Sequence, residues 1–200
     1  ERLDQAIVKV INAYKRFALP GYWGSGKRAA ADGTKWSMYE KNLMSEYHIR
    51  YGGYGGIGYY HVSDTYIALF SHFIPCGVYE AIYILDGLIR NQSDIKPDIL
   101  HGDTQAQSTP VFALAHLLGI QLMPRIRNIK DLVFFKPGKD ARYQNIQSLF
   151  TGSSIDWDLI ARHYDDMLRV AVSIKAGMIT PSMLLRRLGS ASRKNKLYFA

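Results

Sequence analysis

Two aspartates have the sequence context of metal-binding acids. Asp32 follows the alanines 29–31 and precedes Gly33, and Asp103 follows the short stretch 99–102. Each therefore stands at the end of what reads as a buried strand. Neighbouring strands that each deliver a carboxylate at one edge form half of a divalent-metal site, and hard oxygen ligands suit Mg²⁺ or Mn²⁺.

Such a pair of acids could serve metal-dependent phosphoryl transfer. In that chemistry two ions, roughly 3.5–4 Å apart, clamp the attacking and the leaving oxygens, and about three acids hold them. Plainer interpretations remain open. Asp32 with Gly33 could form a turn between strands, and Asp103 could be a loop acid that offsets a helix dipole.

Several neighbours of the two acids are candidate site residues. His101 would point to the same side of a strand as Asp103, although a packed, hydrogen-bonded histidine is an alternative. Gln105 follows Asp103 closely. Arg125 and Arg127 alternate along an expected strand and could contact phosphates; pairing with nearby aspartates would also explain them. Lys35 is a further candidate DNA contact.

The charge of the chain is asymmetric. It has 25 basic and 17 acidic residues, a net charge of +8. No acid follows Asp166, but the remaining stretch contains Arg169, Lys175, Arg186, Arg187, Arg193, Lys194 and Lys196. This asymmetry indicates a polyanionic partner, of which DNA and RNA are the leading candidates. We expect the following residues to contact DNA: Arg186, Arg187, Arg193, Lys194 and Lys196. A solvated basic helix face is the alternative.

The surrounding elements follow from hydrophobic spacing and from helix and turn signals. Helices are predicted at 2–17, 77–90, 109–119, 156–175 and 181–200, and strands at 28–39, 47–51, 59–63, 65–73, 99–101 and 120–126. Antiparallel strands followed by helix, strand, helix and strand predict an α/β, RNase H-like mixed sheet flanked by helices, with a helical C-terminal region. We divide the chain into an N-terminal helix and loop (1–27), a partial RNase H-like core (28–135) and a helical, basic extension (136–200).

Two glycine-rich stretches do not indicate a nucleotide cofactor. Residues 53–58 fit G-x-G-x-x-G, but a strand rather than a helix follows them, so we interpret them as a hairpin. Residues 24–27 lack the spacing of a phosphate-binding loop. No apolar run is long enough to span a bilayer, and the single Cys76 fits a reducing cytoplasm.

Three long segments resemble the signature of Tn3-family transposases: 31–35, 45–56 and 101–128. The likeness runs over the whole chain. It implies a DDE-type RNase H-like domain with Asp32 and Asp103 as the first and second catalytic, metal-binding acids, and with two Mg²⁺ or Mn²⁺ ions in the complete site. It also implies 3′-end cleavage and strand transfer at terminal inverted repeats and target DNA, in replicative transposition. A homo-oligomer on DNA in the bacterial cytoplasm, associated with the nucleoid, is expected.

The third acid of that family should be a glutamate on a later helix. The glutamates of this chain are Glu1, Glu40, Glu46 and Glu80, and all precede Asp103. We expect the chain to stop before the third acid and to be inactive alone, although Asp165 or Asp166 could substitute. A non-catalytic, RNase H-like DNA-binding module is the rival function.

Overall fold

The computed structural model describes residues 2–49, 52–190 and 196–200. The helices are α1 (Arg2–Lys15), α2 (Ala18–Trp23), α3 (Asp86–Arg90), α4 (Thr109–Leu117), α5 (Trp157–Lys175), α6 (Pro181–Ser190) and α7 (Lys196–Phe199). The strands are β1 (Arg28–Ser37), β2 (Glu46–His48), β3 (Gly53–Ser63), β4 (Ala68–Pro75), β5 (Ile99–Gly102), β6 (Gln121–Pro124), β7 (Phe134–Lys136) and β8 (Phe150–Ser154).

The main sheet is mixed and six-stranded. Its strand order is β2-β3-β1-β5-β6, with β4 also paired to β3. The pairs β1–β3, β3–β4 and β2–β3 are antiparallel, whereas β1–β5 and β5–β6 are parallel. This sheet, flanked by helices, confirms the predicted α/β class and is consistent with an RNase H-like fold.

The core lies on one face of this sheet. On β1 the side chains of Ala29 and Ala31 are buried and those of Ala30 and Asp32 are exposed, as strand alternation requires. Leu100 of β5 lies beside Ala29 and is fully buried. Small residues on β1 therefore let helices pack closely against the centre of the sheet.

Helical segments that come before and after α4 in the sequence complete the core together with α4 itself. Its cluster includes residues of the 3₁₀ segment Glu80–Tyr83 and of α4, α5 and α6, such as Ile82, Val111, Ile174 and Leu185. Pro110 occupies the first turn of α4 as predicted, while the N-cap is Ser108 rather than Thr109. Gly119 follows the helix with a φ of 78°, a left-handed conformation that favours glycine.

The glycine-rich stretch 53–58 was interpreted as a hairpin, and this interpretation is wrong because the whole stretch is part of strand β3. A side chain at Gly55 would collide with the backbone of Trp36, and one at Gly56 with the ring of Phe73. The glycines therefore permit close approach inside a sheet. Their position between paired strands eliminates the dinucleotide-binding alternative.

Other boundaries differ where tertiary contacts act. The predicted helix 77–90 is divided into the segment Glu80–Tyr83 and α3, and near the break the Ile84 carbonyl accepts a 2.7 Å hydrogen bond from His61 Nε2. Pro20 lies inside α2, beyond the expected end of the first helix. The parallel pair β7–β8 within 134–154 was not predicted. In the described part of the chain, no helix is both long and apolar enough to traverse a bilayer.

Candidate active site

Asp32 lies in the middle of β1 rather than at a strand end as predicted, and Asp103 directly follows the neighbouring parallel strand β5. The last register pair of β1 and β5 is Ala31 with Gly102, and each aspartate is the next residue of its chain segment. Adjacent strands lie about 4.8 Å apart. Because Ala31 faces the core, strand alternation places the Asp32 carboxylate on the opposite face of the sheet.

Local hydrogen bonds orient both carboxylates. Oδ1 of Asp32, which is exposed, accepts the backbone N–H of Gly33 at 2.8 Å. Oδ1 of the half-buried Asp103 accepts the N–H of Gln105 at 3.0 Å and so caps a 3₁₀ turn over residues 104–106. Asp103 therefore combines the N-cap role in this short turn with a position directly after β5, the strand next to β1.

Glu80 is a third acid near these two that sequence reasoning missed. Its side chain is 9 % exposed, and Oε2 fills the space that a Cβ on Gly33 would occupy. Tyr59 lies opposite Gly33 on β3. Burial raises the pKa of Tyr59, and the negative charges of Asp103, Glu80 and Asp32 raise it further, in that order. Three carboxylates thus create a negative potential around this buried phenol.

A signal for Glu80 was present in the sequence. It is the single charged residue in the otherwise uncharged stretch 78–85, a pattern that indicates a buried carboxylate with a specific surrounding. Even so, among the residues that the structure describes, no three His, Cys, Asp or Glu side chains are arranged to hold a metal ion. Asp32 and Asp103 provide a pair of hard oxygen donors that fits half of a divalent-cation site.

The loop after Asp103 is held from the side by Tyr79. The Tyr79 hydroxyl donates a hydrogen bond to the backbone carbonyl of Gln105. Burial raises the pKa of Tyr79, and the charge of Asp103 adds to the effect, so the phenol lies within electrostatic range of that carboxylate. His101, two residues before Asp103, is exposed and stands between Ala30 and Met123 in the register.

The proposed phosphate contacts are distributed over several surfaces. Arg125 and Arg127 are exposed but follow β6, which ends at Pro124, so the prediction that they alternate within a strand is wrong. The backbone N–H of Arg125 instead donates to the Gly102 carbonyl at 2.9 Å and joins that segment to β5. Lys35 lies three residues after Asp32 on β1, so its side chain projects from the opposite face of the sheet.

The C-terminal basic residues are only partly described. Arg186 lies on α6 and donates to the hydroxyl of Tyr83 at 2.6 Å, and the neighbouring Arg187 is exposed. Arg193 and Lys194 lie outside the described residues. Lys196 is the first residue of α7, and its side chain is likewise outside them.

The two alternative third acids stand on helix α5. Both Asp165 and Asp166 are exposed. Asp166 pairs with Arg169 at 3.1 Å and lies 3.5 Å from His163, both on its own helix. Neither acid belongs to a group able to hold a metal ion among the described residues.

Comparison with known proteins gives one consistent family. The family model for the Tn3 transposase DDE domain matches residues 1–200. The chain is 34% identical over its whole length to the transposases for transposons Tn3926 and Tn21 of Escherichia coli, and 31% identical over 98% of its length to that for Tn1546 of Enterococcus faecium. It spans 20% of each of these relatives. No solved structure matches it significantly.

Proposed function

The chain belongs to the family of Tn3 transposase DDE domains, and on that premise we propose that it forms part of a catalytic domain for 3′-end cleavage and strand transfer of transposon DNA. The observation that carries the proposal is the β1–β5 register, whose last pair, Ala31 with Gly102, directly precedes Asp32 and Asp103 in the two segments. Carboxylates from neighbouring strands at one edge are the arrangement that two-metal phosphoryl transfer uses.

The proposed roles of the residues follow from their surroundings. Asp32 and Asp103 would hold Mg²⁺ or Mn²⁺, and their backbone hydrogen bonds keep the oxygens oriented before the cation arrives. The bound ions would supply Lewis-acid activation of a water or 3′-hydroxyl and stabilisation of the leaving oxygen. Asp32 and Asp103 would supply two of the about three acids that such a site uses, and among the described residues no third acid joins them in a metal-binding group.

DNA is the proposed partner, with terminal inverted repeats and target DNA as the substrates of the whole protein, in a homo-oligomer in the bacterial cytoplasm. The net charge of +8 supports a polyanionic partner. The exposed side chains of Arg125 and Arg127, which follow β6, are proposed phosphate contacts. Because such contacts release counterions, affinity should fall steeply with salt.

A Mn²⁺ titration followed by electron paramagnetic resonance tests the metal site. Asp32→Asn and Asp103→Asn each keep the size of the side chain and remove one charged ligand, so each should weaken Mn²⁺ binding by about tenfold or more. Asp98→Asn, an exposed acid just before β5, is the matched control and should bind as the unaltered chain does. Equal binding by all four proteins would contradict the metal site and favour the rival, a DNA-binding module without chemistry.

A further inference from the structure

A cavity of about 320 Å³ lies beside the loop that follows Asp103. Its floor consists of the buried aliphatic side chains Ile82, Val111 and Leu185. Its rim carries two aromatic side chains, Tyr79 and Tyr198, which are 49% and 40% exposed. A cavity with an apolar floor and an open aromatic rim fits a planar, largely apolar ring system.

The rim also carries polar groups suited to a nucleotide. Arg186 and Ser108 line the cavity together with Pro110. The guanidinium of Arg186 is positioned by its hydrogen bond to the Tyr83 hydroxyl. A fixed guanidinium beside aromatic rings can stack on a base or contact the phosphate attached to it.

The cavity is physically connected to the candidate metal site. Tyr79 forms one wall of the cavity and donates its hydroxyl hydrogen to the carbonyl of Gln105, in the loop that Asp103 caps. The charge of Asp103 also contributes to the raised pKa of Tyr79. A ligand in the cavity would therefore contact the side chain that holds the loop after Asp103.

We propose that this cavity receives one unstacked nucleobase of the DNA strand next to the phosphate at the Asp32–Asp103 edge. The inference rests on the proposed function and adds a substrate subsite to it. Stacking on Tyr79 and Tyr198 replaces the stacking that the base loses when it leaves the duplex. The guanidinium of Arg186 neutralises a flanking phosphate. Holding the base outside the helix would fix the position of the adjoining phosphodiester.

The test compares two DNA hairpins that carry equal phosphate charge. Both have a fluorescein label and a short 3′ single-stranded tail, made of thymidines in one probe and of abasic sites in the other. Anisotropy titrations of the unaltered chain should give at least about fivefold tighter binding of the thymidine tail, because stacking a base contributes roughly 1–3 kcal/mol. Equal affinities for the two tails would overturn the base pocket.

Filling the cavity should abolish this preference. Ser108→Phe adds a ring at a lining position whose backbone is extended and whose side chain makes no capping bond. It should bring the two affinities within about twofold of each other. Thr109→Phe adds the same ring at the next, exposed position outside the cavity and should keep the preference. Preference retained by a folded Ser108→Phe protein would refute the proposal.

Photocrosslinking gives a second readout that needs no variant. A tail containing 5-iododeoxyuridine should crosslink to Tyr79 or Tyr198, and mass spectrometry of the tryptic peptides identifies the residue. Crosslinks confined to other tyrosines, such as the exposed Tyr22 of α2, would overturn the assignment. Equally tight binding of both tails would contradict the base pocket but not the proposed DNA binding. Binding of neither tail would contradict both.

Discussion

Acid should destabilise the fold through His61, a core histidine of β3. The ring is fully buried between Tyr59 and Phe70, with centroid distances of 5.5 and 5.9 Å. Burial lowers the pKa of His61 from 6.5 to about 4, and the hydrogen bond to the Ile84 carbonyl offsets only part of that effect. The histidine is therefore neutral in the native state at neutral pH.

The magnitude follows from this difference in pKa. In the unfolded chain the imidazole takes up a proton near pH 6.5, and in the folded chain only near pH 4. Between these values the unfolded state binds more protons, so the free energy of unfolding falls as the pH falls. With about 1.36 kcal/mol per pKa unit, lowering the pH from about 7.5 to about 4.5 should remove about 2.5 kcal/mol.

Urea denaturation followed by tryptophan fluorescence measures this loss at each pH. His61→Leu removes the titrating group, so its loss over the same range should be smaller by about 2.5 kcal/mol than that of the unaltered chain. His72, whose pKa is also lowered by burial, titrates in both proteins and cancels in the comparison. His116→Leu, at an exposed position of α4, should keep the full loss. Equal losses in His61→Leu and the unaltered chain would refute the assignment to His61.

Two other substitutions test how the core supports the site. Asp86→Ala should lower the free energy of unfolding by about 3 kcal/mol, since the buried carboxylate accepts two hydrogen bonds in the first turn of α6, at 2.8 and 2.6 Å. Asp166→Ala, at an exposed pair, should cost under about 1 kcal/mol in the same urea assay. Gly33→Ala should cost about 1–3 kcal/mol, because the new methyl group would collide with Glu80 on the core face, and should weaken Mn²⁺ binding, because the strain falls on the residue next to Asp32 in β1. Gly138→Ala, in open space, should change neither quantity, and an equal effect at both glycines would refute the collision.

The sequence was most informative where local signals decide the structure. Helix α4 was predictable because Pro110 and Gly119 mark its ends by backbone chemistry alone. The strand before Asp103 was predictable from a short apolar stretch bounded by Pro97 and Gly102. The order of these elements then gave the RNase H-like arrangement of the sheet, and with it the neighbouring positions of β1 and β5.

The positions that were wrongly predicted or not predicted are those whose role depends on distant parts of the chain. The glycines of 53–58 resemble a turn until Trp36 and Phe73 pack against them in the sheet. The uncharged stretch around Glu80 indicates that the carboxylate is buried, but not that its segment folds onto Gly33. The basic residues Arg125 and Arg127 resemble one face of a strand, but β6 ends at Pro124, which pairs with Gly102, the last residue of β5. Hydrophobic periodicity and secondary-structure propensity carry no information about such contacts.

The parallel pairing of β1 with β5 has a consequence for how the protein folds. β1, β3 and β4 can associate through antiparallel pairing of strands that are close in sequence. β5 pairs with β1 although three strands and the helical residues 80–90 separate them in the sequence. We therefore expect this long-range closure to be late and slow. A cation that binds only after β5 has paired with β1 would stabilise the paired state by mass action. Its concentration would therefore set the fraction of molecules in which the two strands are paired.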